Sequence, residues 1–105
     1  MTRKLIASAL AATALFAATP ALADGDIACK SGPKDKWQPV TKLKKAAWME
    51  GWKIIKTEIS GDCYEVYAHT ESGQVVEAFF HPVTLEKLVV IRRGSEIYRK
   101  KGFTG

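Results

Sequence analysis

Two turn signatures constrain most of what this chain can become. Ser60-Gly61-Asp62-Cys63 and Thr70-Glu71-Ser72-Gly73-Gln74 separate three runs rich in β-branched and aromatic residues, Trp52 to Ile59, Cys63 to Thr70 and Gln74 to His81. A two-residue hairpin with glycine first pairs Ile59 with Tyr64, Thr57 with Val66 and Ile55 with Ala68. A three-residue loop with Gly73 in the left-handed position pairs Ala68 with Val76, Val66 with Ala78 and Tyr64 with Phe80. Both turn assignments, made from turn chemistry alone, agree in putting one set on one face: Ile55, Thr57, Ile59, Tyr64, Val66, Ala68, Val76, Ala78 and Phe80. A slip of one residue in either hairpin would scatter that set over both faces, so a meander is expected.

The cover for this face lies upstream. Val40, Leu43, Ala46 and Ala47 recur at helical spacing while Lys42 and Lys45 point elsewhere. Pro39 suits a helix start and Gly51 the left-handed residue that ends one, which places a helix over 39–50. Downstream, Leu88 to Arg92 reads as a fourth antiparallel strand, and Ile97 with Tyr98 adds at most a short further piece after Gly94. The expected class is α+β, one N-terminal helix on an antiparallel meander sheet of three to four strands.

The N-terminus predicts export. Arg3 and Lys4 precede an apolar stretch from Leu5 to Ala18, followed by Pro20 and the Ala21-Leu22-Ala23 site. That is the three-part plan of a secretory signal, and roughly fourteen apolar residues fall short of a membrane span. Cleavage after Ala23 is expected, with a periplasmic or secreted product. The remainder divides into an extended arm, 24–38, and a single domain, 39–105, together about 82 residues. A domain of that size buries too little surface to be comfortable without a staple. Cys29 and Cys63 are the two cysteines, and in an exported chain their default state is one disulfide.

The formal charge of the whole chain is +5. Its basic residues gather at Lys34 and Lys36, at Lys42, Lys44 and Lys45, and at a C-terminal set of Arg92, Arg93, Arg99, Lys100 and Lys101. These clusters lack the interleaved aromatics of nucleic-acid binders, so no nucleic-acid partner is expected; the C-terminal set suits weak association with an anionic membrane surface or an acidic partner.

Chemistry-bearing constellations are absent from the expected layout. His69 and His81 share a sheet face but lie roughly 20 Å apart at the usual strand rise, too far to hold one metal. Glu58, Glu65 and Glu77 have no evident cleft to shift a carboxyl, and no serine is set in a nucleophile elbow or a phosphate-cradling glycine loop. No catalytic, metal or cofactor site is expected, and the chain does not read as an enzyme. The more informative group is on the second sheet face, where Trp52, Tyr67 and Phe79 stand beside Glu65 and Glu77. An apolar patch rimmed by charge commonly marks a binding surface, here for an extended or basic polypeptide. Alternatively, the arm held by Cys29 covers part of this face.

The stretches Gly51-Trp52-Lys53-Ile54, Asp62-Cys63-Tyr64-Glu65-Val66-Tyr67 and Ser72-Gly73-Gln74 through Thr84 resemble the PepSY domain, most closely small stand-alone exported members with a cysteine arm. The chain departs from the family's Asp-Pro-x-Thr-Gly element at His81, before Pro82, and at Leu85, after Thr84. The resemblance implies a helix on an antiparallel sheet and supplies no catalytic residue. It also implies a non-enzymatic exported binding or regulatory module, with a peptidase or another periplasmic protein as partner.

Overall fold

The computed structural model describes residues 27–105, so the expected leader and the cleavage expected after Ala23 lie outside the described residues. An arm containing a short 3-10 turn, Lys34–Lys36, leads into helix α1, Val40–Met49. Five strands follow: β1 Lys53–Ser60, β2 Cys63–His69, β3 Val75–Phe80, β4 Lys87–Arg92 and β5 Ser95–Arg99. They form one antiparallel sheet in the order β1-β2-β3-β4-β5. The sheet thus has five strands where three to four were expected. The fifth escapes periodicity because every residue of β5 is exposed, which leaves no apolar alternation to read.

α1 ends as its sequence dictates. Gly51 takes φ +86°, its N–H donates to the Trp48 carbonyl at 2.9 Å, and the Trp52 N–H reaches back to the Ala47 carbonyl at 3.3 Å. This pair of bonds is a Schellman closure, and the side chains it brings together, Ala47 and Trp52, are both buried in one core. The closure therefore turns Trp52 inward at the moment the chain enters β1.

Both predicted hairpin registers are present, with Ile59 opposite Tyr64, Thr57 opposite Val66, Val66 opposite Ala78 and Tyr64 opposite Phe80. One pairing differs. A bulge between Ile54 and Lys56 sets Ile54, not Ile55, opposite Ala68, so Ile54 packs against the core and Ile55 is left 51% exposed. Two adjacent isoleucines satisfy the alternation equally well, and the inward direction of Trp52 selects its two-residue neighbour, Ile54.

Two apolar layers result. Between α1 and the sheet lie Leu43, Ala47, Trp52, Tyr64, Val66, Ala68, Val76, Ala78, Phe80 and Val90. On the opposite face, Cys29, Cys63, Phe79, Leu88, Val89 and Ile91 form a second cluster, closed over by Ile27 from the arm and Phe103 from the C-terminal tail. The Cys29–Cys63 disulfide, with Cα atoms 5.4 Å apart, stitches the arm to the first residue of β2. Closing a loop of this length contributes ~3–4 kcal/mol in the chain-entropy picture.

Candidate interaction surface

Asp62, in the turn before β2, receives the arm. Its carboxylate accepts from the Cys29 N–H at 2.9 Å and the Ser31 N–H at 3.2 Å, and the Ser31 hydroxyl donates to the Asp62 carbonyl at 2.7 Å. Burial by itself would raise this carboxyl, but the main-chain donors of Cys29, Ser31 and Lys30 outweigh it and hold the group below its ordinary range. Lys30, with φ +57°, provides the reversal that aims successive N–H groups at one carboxylate.

The arm covers part of the second sheet face, and the part beyond it carries three glutamates, of which Glu65 is itself buried. Strand pairing produces two rows across the sheet. One runs Glu58, Glu65, Phe79, Val89 and Arg99, the other Lys56, Tyr67, Glu77, Ile91 and Glu96. Phe79, Val89 and Ile91 are buried beneath the arm and tail. The remaining part places Glu58 directly across from Glu65, with Tyr67 and Glu77 side by side in the next row. Lys56, bridged to Glu58 at 3.0 Å, offsets part of the like charge that this facing brings together.

Within the patch, Glu65 is only 2% exposed, whereas Tyr67 and Glu77 are half-buried and Glu58 is open to solvent. Burial, a hydrogen bond to Glu65 and the charges of Glu65, Glu77 and Glu58 all push the Tyr67 phenol well above its ordinary value. It is therefore a neutral donor at any physiological pH. Lys56 lies over the Tyr67 ring at 4.6 Å and pairs with Glu58 at 3.0 Å, an exposed bridge worth ~0–1 kcal/mol.

Sequence reasoning placed five residues on this surface, and two require correction. Trp52 lies on the other side of the sheet, 8% exposed, with its ring edge-on to Phe80 at 6.2 Å between centroids. Phe79 has the expected facing but is fully buried beneath the arm. Glu65, Tyr67 and Glu77 stay together, and Glu58 with Lys56 joins them, a membership that cross-strand pairing from the first turn already implied.

The C-terminal basic set is not a single patch. Arg92 and Arg93 sit at the β4–β5 turn, while Arg99, Lys100 and Lys101 lie at the far end of the same hairpin. Arg99 is occupied: it bonds both carboxylate oxygens of Glu96, at 2.7 and 2.8 Å, and donates to the carbonyls of Phe103 and Gly105. Lys100 pairs with Glu86 at 3.7 Å.

His81 also has a local task. Its Nδ1 accepts from the N–H groups of Val83, at 3.1 Å, and Thr84, at 3.3 Å, which fixes the loop between β3 and β4. Cys29, Asp62 and Cys63 are the group of ligand-type side chains that comes together among the described residues, and both sulfurs are already committed to the disulfide. Among the described residues no helix is long and apolar enough to cross a membrane.

A helix sealing one face of an antiparallel sheet, with a glycine closure before β1 and a Pro-x-Thr loop after β3, can be compared with known families. A family model described as peptidase propeptide and YPEB domain matches residues 7–90. The chain belongs to the PepSY family. The PepSY match ends within β4, at residue 90, so the fifth strand and the tail that closes over Phe79 lie beyond it. PepSY domains occur in exported proteins and are in general non-catalytic modules of the propeptide or inhibitor kind. No curated protein and no solved structure matches the chain at a significant level. At His81 and Leu85, where the sequence leaves the PepSY pattern, the geometry shows what replaces it. The imidazole supplies the acceptor an aspartate would, and Leu85 holds φ +61° where a glycine would be unstrained.

Proposed function

We propose that this PepSY domain is a non-catalytic exported regulatory module that binds a peptidase, or another periplasmic protein, through the acidic–aromatic part of its second sheet face. The observation that carries the reading is the facing of Glu58 and Glu65 across β1 and β2, with Tyr67 and Glu77 beside them. The exposed and half-buried carboxylates of Glu58 and Glu77 around a neutral phenol donor suit a basic, extended segment. Tyr67 supplies rigid amphipathic contact area at low entropic cost, as anchors in recognition surfaces do.

Recovery of partners from a periplasmic extract by the protein and by a Tyr67→Ala/Glu77→Gln variant tests the assignment, with peptidase activity assayed in the recovered fraction. Loss of the partner from the variant is the expected result. Equal recovery by both proteins removes this surface from the interaction. A partner without peptidase activity leaves the surface in place and redirects the reading to another exported protein.

A further inference from the structure

The outward face of α1 has a character that the acidic sheet surface does not account for. Thr41, Lys42, Lys44, Lys45, Trp48 and Met49 are all exposed, with Trp48 at 70% and Met49 at 71%. Residues three and four apart are neighbours on a helix, so Trp48 stands beside Lys44 and Lys45, and Met49 beside Lys45. No acidic residue occurs between Asp35 and Glu50. Glu50 itself is bound to Lys87 at 2.8 Å, and none of the three helix lysines enters an ion pair among the described residues.

Beside this face is a groove of about 300 Å³, lined by Lys42, Lys45, Ala46, Met49 and Leu85. Its lining alternates in kind: Ala46, Met49 and Leu85 are apolar, and the two lysines are cationic. That pairing fits an amphiphile with an anionic head and a hydrocarbon chain. An amphipathic tryptophan next to lysines whose stems can lie along apolar surface is the composition of helices that sit at a membrane–water boundary.

We infer that the outward face of α1 is a docking surface for an anionic lipid bilayer, with Lys42, Lys44 and Lys45 at the headgroups and Trp48 and Met49 entering the boundary region. Charge complementarity selects a bilayer surface over a second copy of the chain, whose own α1 would bring cation against cation. Docking by this face also sets the orientation. The sheet face bearing Glu58, Tyr67 and Glu77 is on the far side of the sheet, directed away from the negative membrane and accessible to a partner.

Co-sedimentation of the full chain with vesicles of phosphatidylglycerol and phosphatidylethanolamine, against vesicles of phosphatidylcholine alone, tests the inference. Each lysine near an anionic surface is worth about a fivefold change in partitioning, so Lys42→Gln/Lys44→Gln/Lys45→Gln lowers binding about 100-fold. Any contribution from the apolar N-terminal run is common to all variants. Trp48→Ser/Met49→Ser weakens binding and removes the blue shift of tryptophan emission that vesicles induce, while Arg93→Gln/Lys101→Gln leaves both unchanged. All substitutions are at exposed positions, and unchanged circular dichroism verifies the fold. Equal binding of the triple lysine variant, or indifference to 0.5 M salt, overturns the proposal. Retention of a poly-glutamate peptide by the same lysines without vesicle binding also overturns it and assigns the face to an acidic protein.

Discussion

The Tyr64 hydroxyl donates to the Gln38 main-chain carbonyl at 2.6 Å, tying β2 to the residue that leads into α1. Gln38 in turn donates its N–H to the Pro82 carbonyl at 2.9 Å and its side-chain amide to the Val83 carbonyl at 3.2 Å. Trp37 packs edge-on against the Tyr64 ring at 5.2 Å, so one phenol holds arm, helix start and β3–β4 loop together. Tyr64→Phe leaves a part-buried acceptor without its donor and is expected to cost ~1 kcal/mol. Urea denaturation of the two proteins measures the difference; no shift in midpoint would show the bond to be dispensable.

The Asp62 carboxylate makes arm docking depend on acid. Its folded value lies below the ordinary one, so the stabilisation it gives is fully present above the ordinary carboxylate range and is lost as pH falls through the folded value. An Asp62→Asn variant lacks that term at every pH. The stability gap between wild type and variant is therefore widest near neutrality and closes on acidification below the ordinary aspartate value of 3.8. Denaturant midpoints taken from pH 6 down to pH 2.5 follow the gap, and a gap independent of pH would contradict the assignment.

The two departures from the PepSY pattern give paired predictions. His81→Ala leaves the N–H groups of Val83 and Thr84 without their acceptor and should cost ~1 kcal/mol, whereas His81→Asp restores an acceptor and costs less. Leu85 packs partly against the helix-side core yet sits in the left-handed region, a conformation that costs a residue with a Cβ ~1 kcal/mol. Leu85→Ala loses the packing and keeps the strain. Leu85→Gly loses the same packing but relieves the strain, so thermal unfolding should show it no less stable than the alanine variant.

Much of this fold was legible because turns act locally. Gly61 and Gly73 both take positive φ, and each fixes a register that propagates along whole strands, which is why Tyr64, Val66, Ala78 and Phe80 fell on the predicted face. What stayed hidden depended on packing at a distance. The choice between Ile54 and Ile55 waited on Trp52, whose direction is set by the helix closure behind it. The burial of Phe79 waited on Ile27 and Phe103, which approach from opposite ends of the described chain. Trp48 could have been singled out: it lies one residue past Ala47 and five past Leu43, off the buried stripe of α1.

Removing the disulfide tests how much of the second layer is held by covalent connection. Cys29→Ala/Cys63→Ala should lose ~3–4 kcal/mol and loosen the cover over Phe79, Leu88 and Val89. Increased binding of a hydrophobic dye at moderate denaturant, with the helix-side layer still intact by near-ultraviolet circular dichroism, reports that partial opening. A single transition unchanged in midpoint would mean that Asp62 and the tail suffice.

The bulge at Ile55 has a meaning for life at high concentration. β1 borders the sheet, and a straight outer strand offering isoleucines would invite neighbouring molecules to add strands of their own. The extra residue distorts that rim, and the charged side chains of Lys53, Lys56 and Glu58 line it, so successive copies meet a bent, charged border. A chain that must stay dispersed while it folds gains more from such a rim than it loses by leaving one isoleucine in water.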